Sequence, residues 1–81
     1  MFLHVIAVKY LRDYILALSF NNGISGEVDL EIELSGEVFG PLKDKNLFQS
    51  IKVDSEIGTI TWSNGADLAP EFLYDQLRIS G

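Results

Sequence analysis

The sequence predicts an α+β fold: a small, mainly antiparallel sheet, built from a three-strand meander and a second strand pair, with one or two short helices packed on it. Three observations predict it. Residues 27–34 alternate strictly, with Val28, Leu30, Ile32 and Leu34 on one side and Glu27, Asp29, Glu31 and Glu33 on the other. That is the period of a half-buried strand. Asn21-Asn22-Gly23 stands between two apolar runs, a hairpin signal because Asn and Gly reach positive φ easily. The stretch from Gly58 to Tyr74 then reads as a strand, a tight turn and a helix entry, and it holds the only tryptophan.

The elements follow in chain order. Residues 2–10 are apolar on both alternating faces, Leu3, Val5 and Ala7 against Phe2, Ile6 and Val8. Such a run suits a strand buried on both sides, or one packed against a partner. Arg12-Asp13 makes a turn, and residues 14–20 form a second strand with Tyr14, Leu16, Leu18 and Phe20 on one face. The alternating third strand, residues 27–34, completes an antiparallel meander. Ser35-Gly36 breaks the pattern, and residues 38–42 are irregular, punctuated by Gly40 and Pro41. Asp44 can cap a helical turn over residues 45–49 that buries Leu47 and Phe48. Residues 51–54 and 59–62 pair across the loop 55–58, and Thr59, Ile60, Thr61 and Trp62 are all strand formers. Asn64-Gly65 supplies a turn, Asp67 a cap and Pro70 a preset helical φ. The final helix, residues 70–78, turns Phe72, Leu73 and Leu77 toward the sheet.

Length and charge restrict the function classes. A chain of 81 residues makes one domain, residues 1–81, and buries only about 60–65% of its unfolded surface. With 47% hydrophobic residues it leaves apolar area exposed as a monomer, so a homo-oligomer or another protein partner is expected. Twelve acidic residues against six basic ones give a formal net charge of −6, which repels phosphate backbones. Direct nucleic-acid binding and binding to anionic membranes are therefore not expected, whereas a basic protein partner is. No cysteine is present, which excludes disulfides and thiolate chemistry. The apolar start, residues 1–8, is too short for a membrane span and lacks the basic region of a signal peptide, so a cytoplasmic location is expected.

The chain resembles a small bacterial family catalogued as domain of unknown function 2442. The resemblance runs from about Val5 to Tyr74. It is carried by Tyr14-Ile15-Leu16 through Phe20, Gly23, Gly26-Glu27-Val28-Asp29-Leu30, Val38-Phe39-Gly40-Pro41-Leu42-Lys43-Asp44 and Leu47-Phe48. Its most specific part is Val53-Asp54, Gly58-Thr59-Ile60-Thr61-Trp62 and the run from Asn64 to Tyr74. The resemblance implies a small bacterial protein, often encoded beside another small protein in pairs that look like toxin–antitoxin loci. Some relatives carry a helix-turn-helix domain after this module. The sequence stops at Gly81, so that DNA-binding part is not expected here.

Two constellations are candidates for function. The four carboxylates Glu27, Asp29, Glu31 and Glu33 stand about 6–7 Å apart along a strand, too far for several to grip one cation. They suit an electrostatic docking face for a basic protein, or a plain solvated face. Trp62, Asn64, Asp67 and Tyr74 could line a small polar-aromatic site, which gives the alternative of a small-molecule-binding domain or an enzyme. A simpler structural role is also open to each, since Trp62 fills the core under the helix, Asn64 makes the turn, Asp67 caps, and Tyr74 lies along the helix. His4, the only histidine, has no second histidine or cysteine to build a transition-metal site. No phosphate-cradling loop, calcium loop or nucleophile elbow is present. The expectation is a non-catalytic protein-interaction module with no cofactor, metal or catalytic residue, resembling the antitoxin-side member of a two-gene pair.

Overall fold

The computed structural model describes residues 2–78. Three strands, β1 (Val5–Arg12), β2 (Ile15–Phe20) and β3 (Ser25–Asp29), form an antiparallel sheet in the order β1-β2-β3. Helical turns follow: α1 (Gly36–Phe39), a 3-10 turn (Gly40–Lys43) and α2 (Lys45–Phe48). A two-stranded sheet of β4 (Lys52–Asp54) and β5 (Thr59–Thr61) precedes α3 (Pro70–Gln76). The α+β class and the meander plus strand pair are as the sequence predicts.

Both hairpins of the meander form where the turn residues place them. Asp13 takes φ 48° between β1 and β2, and Gly23 takes φ 86° between β2 and β3. The second turn is fastened by its asparagines. Asn22 Oδ1 accepts from the Ile24 N–H at 3.0 Å, and Asn21 Oδ1 accepts from the His4 N–H at 2.9 Å. Leu16, Leu18 and Phe20 turn inward from β2, and Val28 from β3.

β1 departs from simple alternation. A register shift between Val5 and Ala7 turns the strand's phase, so that Val5 and Val8 face the core while Ala7 faces out. A bulge of this kind re-aims the side chains beyond it. β1 is thus covered on one face only; the outer one carries the exposed Ala7 and Lys9.

The expectation of one strand over residues 27–34 is corrected. β3 stops at Asp29, and residues Glu31–Glu33 form a 3-10 turn. The reason is the length of the partner strand. The Leu30 N–H bonds to the Tyr14 carbonyl at 3.0 Å, and at that point β2 gives way to the β1–β2 turn. Further extended residues would have no ladder to join, and unpaired backbone groups are unfavourable. The chain instead closes on itself. Asp29 Oδ1 accepts from the Glu31 N–H at 3.0 Å, and the Glu33 N–H reaches the Leu30 carbonyl at 2.9 Å. Leu30 and Leu34 are buried as their period implies, but Ile32 is 87% exposed.

Residues 38–42, expected to be irregular, are largely helical turns that bury Leu42. Asp44 caps α2 as expected, accepting from the Asn46 N–H at 2.9 Å, and Phe48 is fully buried. The final helix ends at Gln76 rather than Arg78. Leu77 turns extended at ψ 132°, and Arg78 pairs with Glu27 through two backbone bonds of 2.9 and 2.7 Å. The core lies between the inner face of the three-stranded sheet and the segments that follow it. Leu34, Leu42, Phe48, Ile60, Trp62 and Leu73 supply its second wall.

Candidate functional site

The four carboxylates do not form one face. Glu27 lies on the outer side of β3, in a row with Ala17 and Lys9 across the sheet. Asp29 closes the turn after the strand, while Glu31 and Glu33 belong to the 3-10 turn itself. Asp29, Glu31 and Ile32 border a hollow of about 200 Å³ whose other wall is Gln76 and Arg78. Among the described residues no three His, Cys, Asp or Glu side chains lie close enough together to hold an ion. The hollow therefore joins two acids, one guanidinium and one exposed aliphatic side chain. Such a mixture suits a polypeptide with a basic and an apolar group side by side.

The Trp62–Tyr74 stretch is built into the fold. Trp62 is 2% exposed, and its indole N–H donates to the Phe48 carbonyl at 2.9 Å. The two rings pack with centroids 5.8 Å apart. The turn beyond it is closed by Trp62 N–H to Ala66 carbonyl at 2.9 Å, with Gly65 at φ 88°. Asn64 Oδ1 accepts from the Ala66 N–H at 3.1 Å, while its amide donates to the Val38 carbonyl at 3.0 Å. The asparagine thus makes the turn, as expected, and also ties it to α1.

Tyr74 packs edge-on against Phe20 at 5.2 Å, and its hydroxyl accepts from the Asn22 amide at 3.4 Å. Asp67 departs from its expected role. The N-cap of α3 is Ala69, with no side-chain cap, and exposed Asp67 makes an isolated backbone bridge with Thr61. Pro70 alone presets the first turn. Trp62, Asn64, Asp67 and Tyr74 therefore engage four different parts of the chain.

His4 rests its imidazole over Gly58. A Cβ at Gly58, whose φ is 68°, would stand 2.6 Å from His4 Cδ2. The Gly58 carbonyl accepts from the Val5 N–H at 2.9 Å, which joins the small sheet to β1. Glycine here serves a close approach of backbone to side chain.

A model of the family described as protein of unknown function, DUF2442, matches residues 5–78. The chain belongs to that family. No curated protein and no solved structure matches it. Among the described residues of this DUF2442 chain, no helix is long and apolar enough to cross a membrane.

Other surface residues had no place among the sequence candidates. Ile32 was expected inside with its alternating neighbours, and Gln76 and Arg78 border the hollow only because α3 ends early. The outer face of the three-stranded sheet holds a shallow groove of about 410 Å³, lined by Ala7, Lys9, Ala17, Ser19, Ser25 and Glu27 among others. Its signal in the sequence is the run of small residues at outward positions of β2 and β3.

Proposed function

We propose that this DUF2442 protein is a non-catalytic interaction module that docks a small basic protein at the turn after β3. In the setting the family resemblance implies, it is the antitoxin-like member of a two-gene pair. The observation that carries the reading is Ile32, 87% exposed between two acids on a turn held by its own backbone bonds. An apolar anchor ringed by charge has the form of an interface centre, where the hydrophobic contact supplies affinity and the charges supply orientation and encounter rate. The net charge of −6 favours a basic partner over long range. The Trp62–Tyr74 stretch supports the same reading from the other side, since Trp62, Asn64 and Tyr74 are engaged in packing and in bonds to Phe48, Val38, Ala66 and Asn22.

The test is co-purification with the small protein encoded beside it, followed by calorimetric titration. The expected result is a complex with micromolar affinity or better. Ile32→Ser and the pair Glu31→Lys/Glu33→Lys should each weaken it at least about tenfold. No association of the pair at concentrations of about 10 μM overturns the proposal.

A further inference from the structure

The molecule is a slab of 32 × 29 × 17 Å. Two packed layers lie about 10 Å apart, so a thickness of this order accommodates the sheet and one covering layer. The outer face of the three-stranded sheet is accordingly open. Residues paired across an antiparallel sheet share a face, and three rows follow from the register. They are Ala7–Ser19–Ser25, Lys9–Ala17–Glu27 and Arg12–Ile15–Asp29. The cations stand on β1, the anions on β3, and small or aliphatic residues lie between them on β2.

We infer that this face binds a second copy of the same chain, about a two-fold axis running along the strands. Such an axis lays β1 of one copy over β3 of the other at the same row. Lys9 then meets the second copy's Glu27, and Arg12 meets its Asp29, each pair formed twice by symmetry. An axis running across the strands would set like charges over like, so the charge pattern selects the first arrangement. Nothing taller than a hydroxymethyl group stands on the first row or at Ala17, which lets the two sheets approach closely at their centres.

Two further observations favour a copy of the chain over another partner. On this face the four groups Lys9, Arg12, Glu27 and Asp29 balance, and Arg78 stands beside Glu27 through their backbone bridge, on a chain whose net charge is −6. Among the described residues the ion pair within 4.0 Å is Lys45–Asp13, at 3.5 Å, so these four groups are not paired with one another inside the chain. A three-strand face is small against the roughly 800 Å² per partner of standard interfaces, so the dimer belongs to the micromolar range. The dimer face shares Asp29 with the docking turn, but Lys9, Ala17 and Glu27, where it is tested, lie outside that turn, so either can fail without the other.

The experiment is sedimentation equilibrium on the purified chain, with circular dichroism of every variant as the control for folding. Wild type should show the mass of two chains. Lys9→Glu alone and Glu27→Lys alone each put like charges together at both symmetric contacts, and should weaken the dimer at least about tenfold. Mixed in equal amounts, they should restore a heterodimer, because both contacts are then complementary. Ala17→Arg should also dissociate the dimer by wedging the sheets apart. A wild-type chain that stays monomeric at about 100 μM overturns the inference. So does a dimer unmoved by Lys9→Glu and Ala17→Arg, or one whose charge variants fail to rescue each other. The wild-type mass decides even if a variant does not fold.

Discussion

Residues 27–34 and residues 58–74 are both dense in sequence signal, yet they fare differently in the folded chain. In the first, an unbroken two-residue period ends as a strand halfway along and becomes a turn with Ile32 in solvent. In the second, a mixed set of strand formers, Asn-Gly and proline produces the expected strand, turn and helix in order. The difference is where the deciding interaction lies. Turn chemistry is local: Asn64 bonds a backbone group two residues on, and Gly65 needs only its own φ. Strand length is decided by a neighbour, since a ladder lasts only as long as the strand beside it. The first stretch is therefore adaptable at its surface, and the second is fixed in the core.

Trp62→Ala tests the fixed region and should have the largest effect. It opens a cavity beside Phe48 and leaves the Phe48 carbonyl without its indole donor. The expected loss is about 3–5 kcal/mol, much of the stability of a small domain. Urea unfolding followed by circular dichroism measures it. Trp62→Phe retains most of the volume and should lose about 1–2 kcal/mol for the missing hydrogen bond. If both variants unfold within 0.5 kcal/mol of wild type, a loss on the order of measurement error, the stretch is not the anchor its burial implies.

Gly58→Ala comes next, because it joins the two regions' supporting sheets. Alanine would have to hold φ 68° with its methyl against the His4 ring. The left-handed conformation costs about 1–2 kcal/mol, and the crowding adds to it. Placing His4→Ala behind it should recover the steric part and leave the conformational part. A double-mutant cycle by urea unfolding separates the two. Strict additivity would mean that the imidazole does not press on Gly58 in solution.

What was legible divides along the same line. The hairpin at Asn21-Asn22-Gly23, the capped turn after Asp44 and the pairing of β4 with β5 all rest on residues near one another, and each formed as expected. The end of β3, the bulge beside Ile6 and the bridge from Arg78 to Glu27 depend on where distant strands begin and stop. Asp67 escapes its expected role because capping competes with pairing: its backbone bridges Thr61, and Ala69 becomes the N-cap instead. The candidate sites show the same division. Glu27, Asp29, Glu31 and Glu33 were visible as a charge pattern, but the break at Leu30 that splits them came from the β1–β2 turn. Burial of Trp62 was visible too, while its donation to Phe48 required the tertiary fold.

Ile32→Ser gives the smallest effect on stability and the sharpest contrast. The side chain is 87% exposed, so its removal takes little apolar area out of a packed environment. Unfolding free energy should stay within about 0.5 kcal/mol of wild type, as for other surface changes. Had the strand continued through residue 34, the same change would place a hydroxyl in the core at a loss of about 2 kcal/mol or more. The urea midpoint therefore distinguishes a turn from a strand at this point. A near-neutral midpoint together with weakened partner binding would place the residue's contribution in recognition. A large loss of stability would return Ile32 to the sheet, and the adaptable region would then be as fixed as the stretch around Trp62.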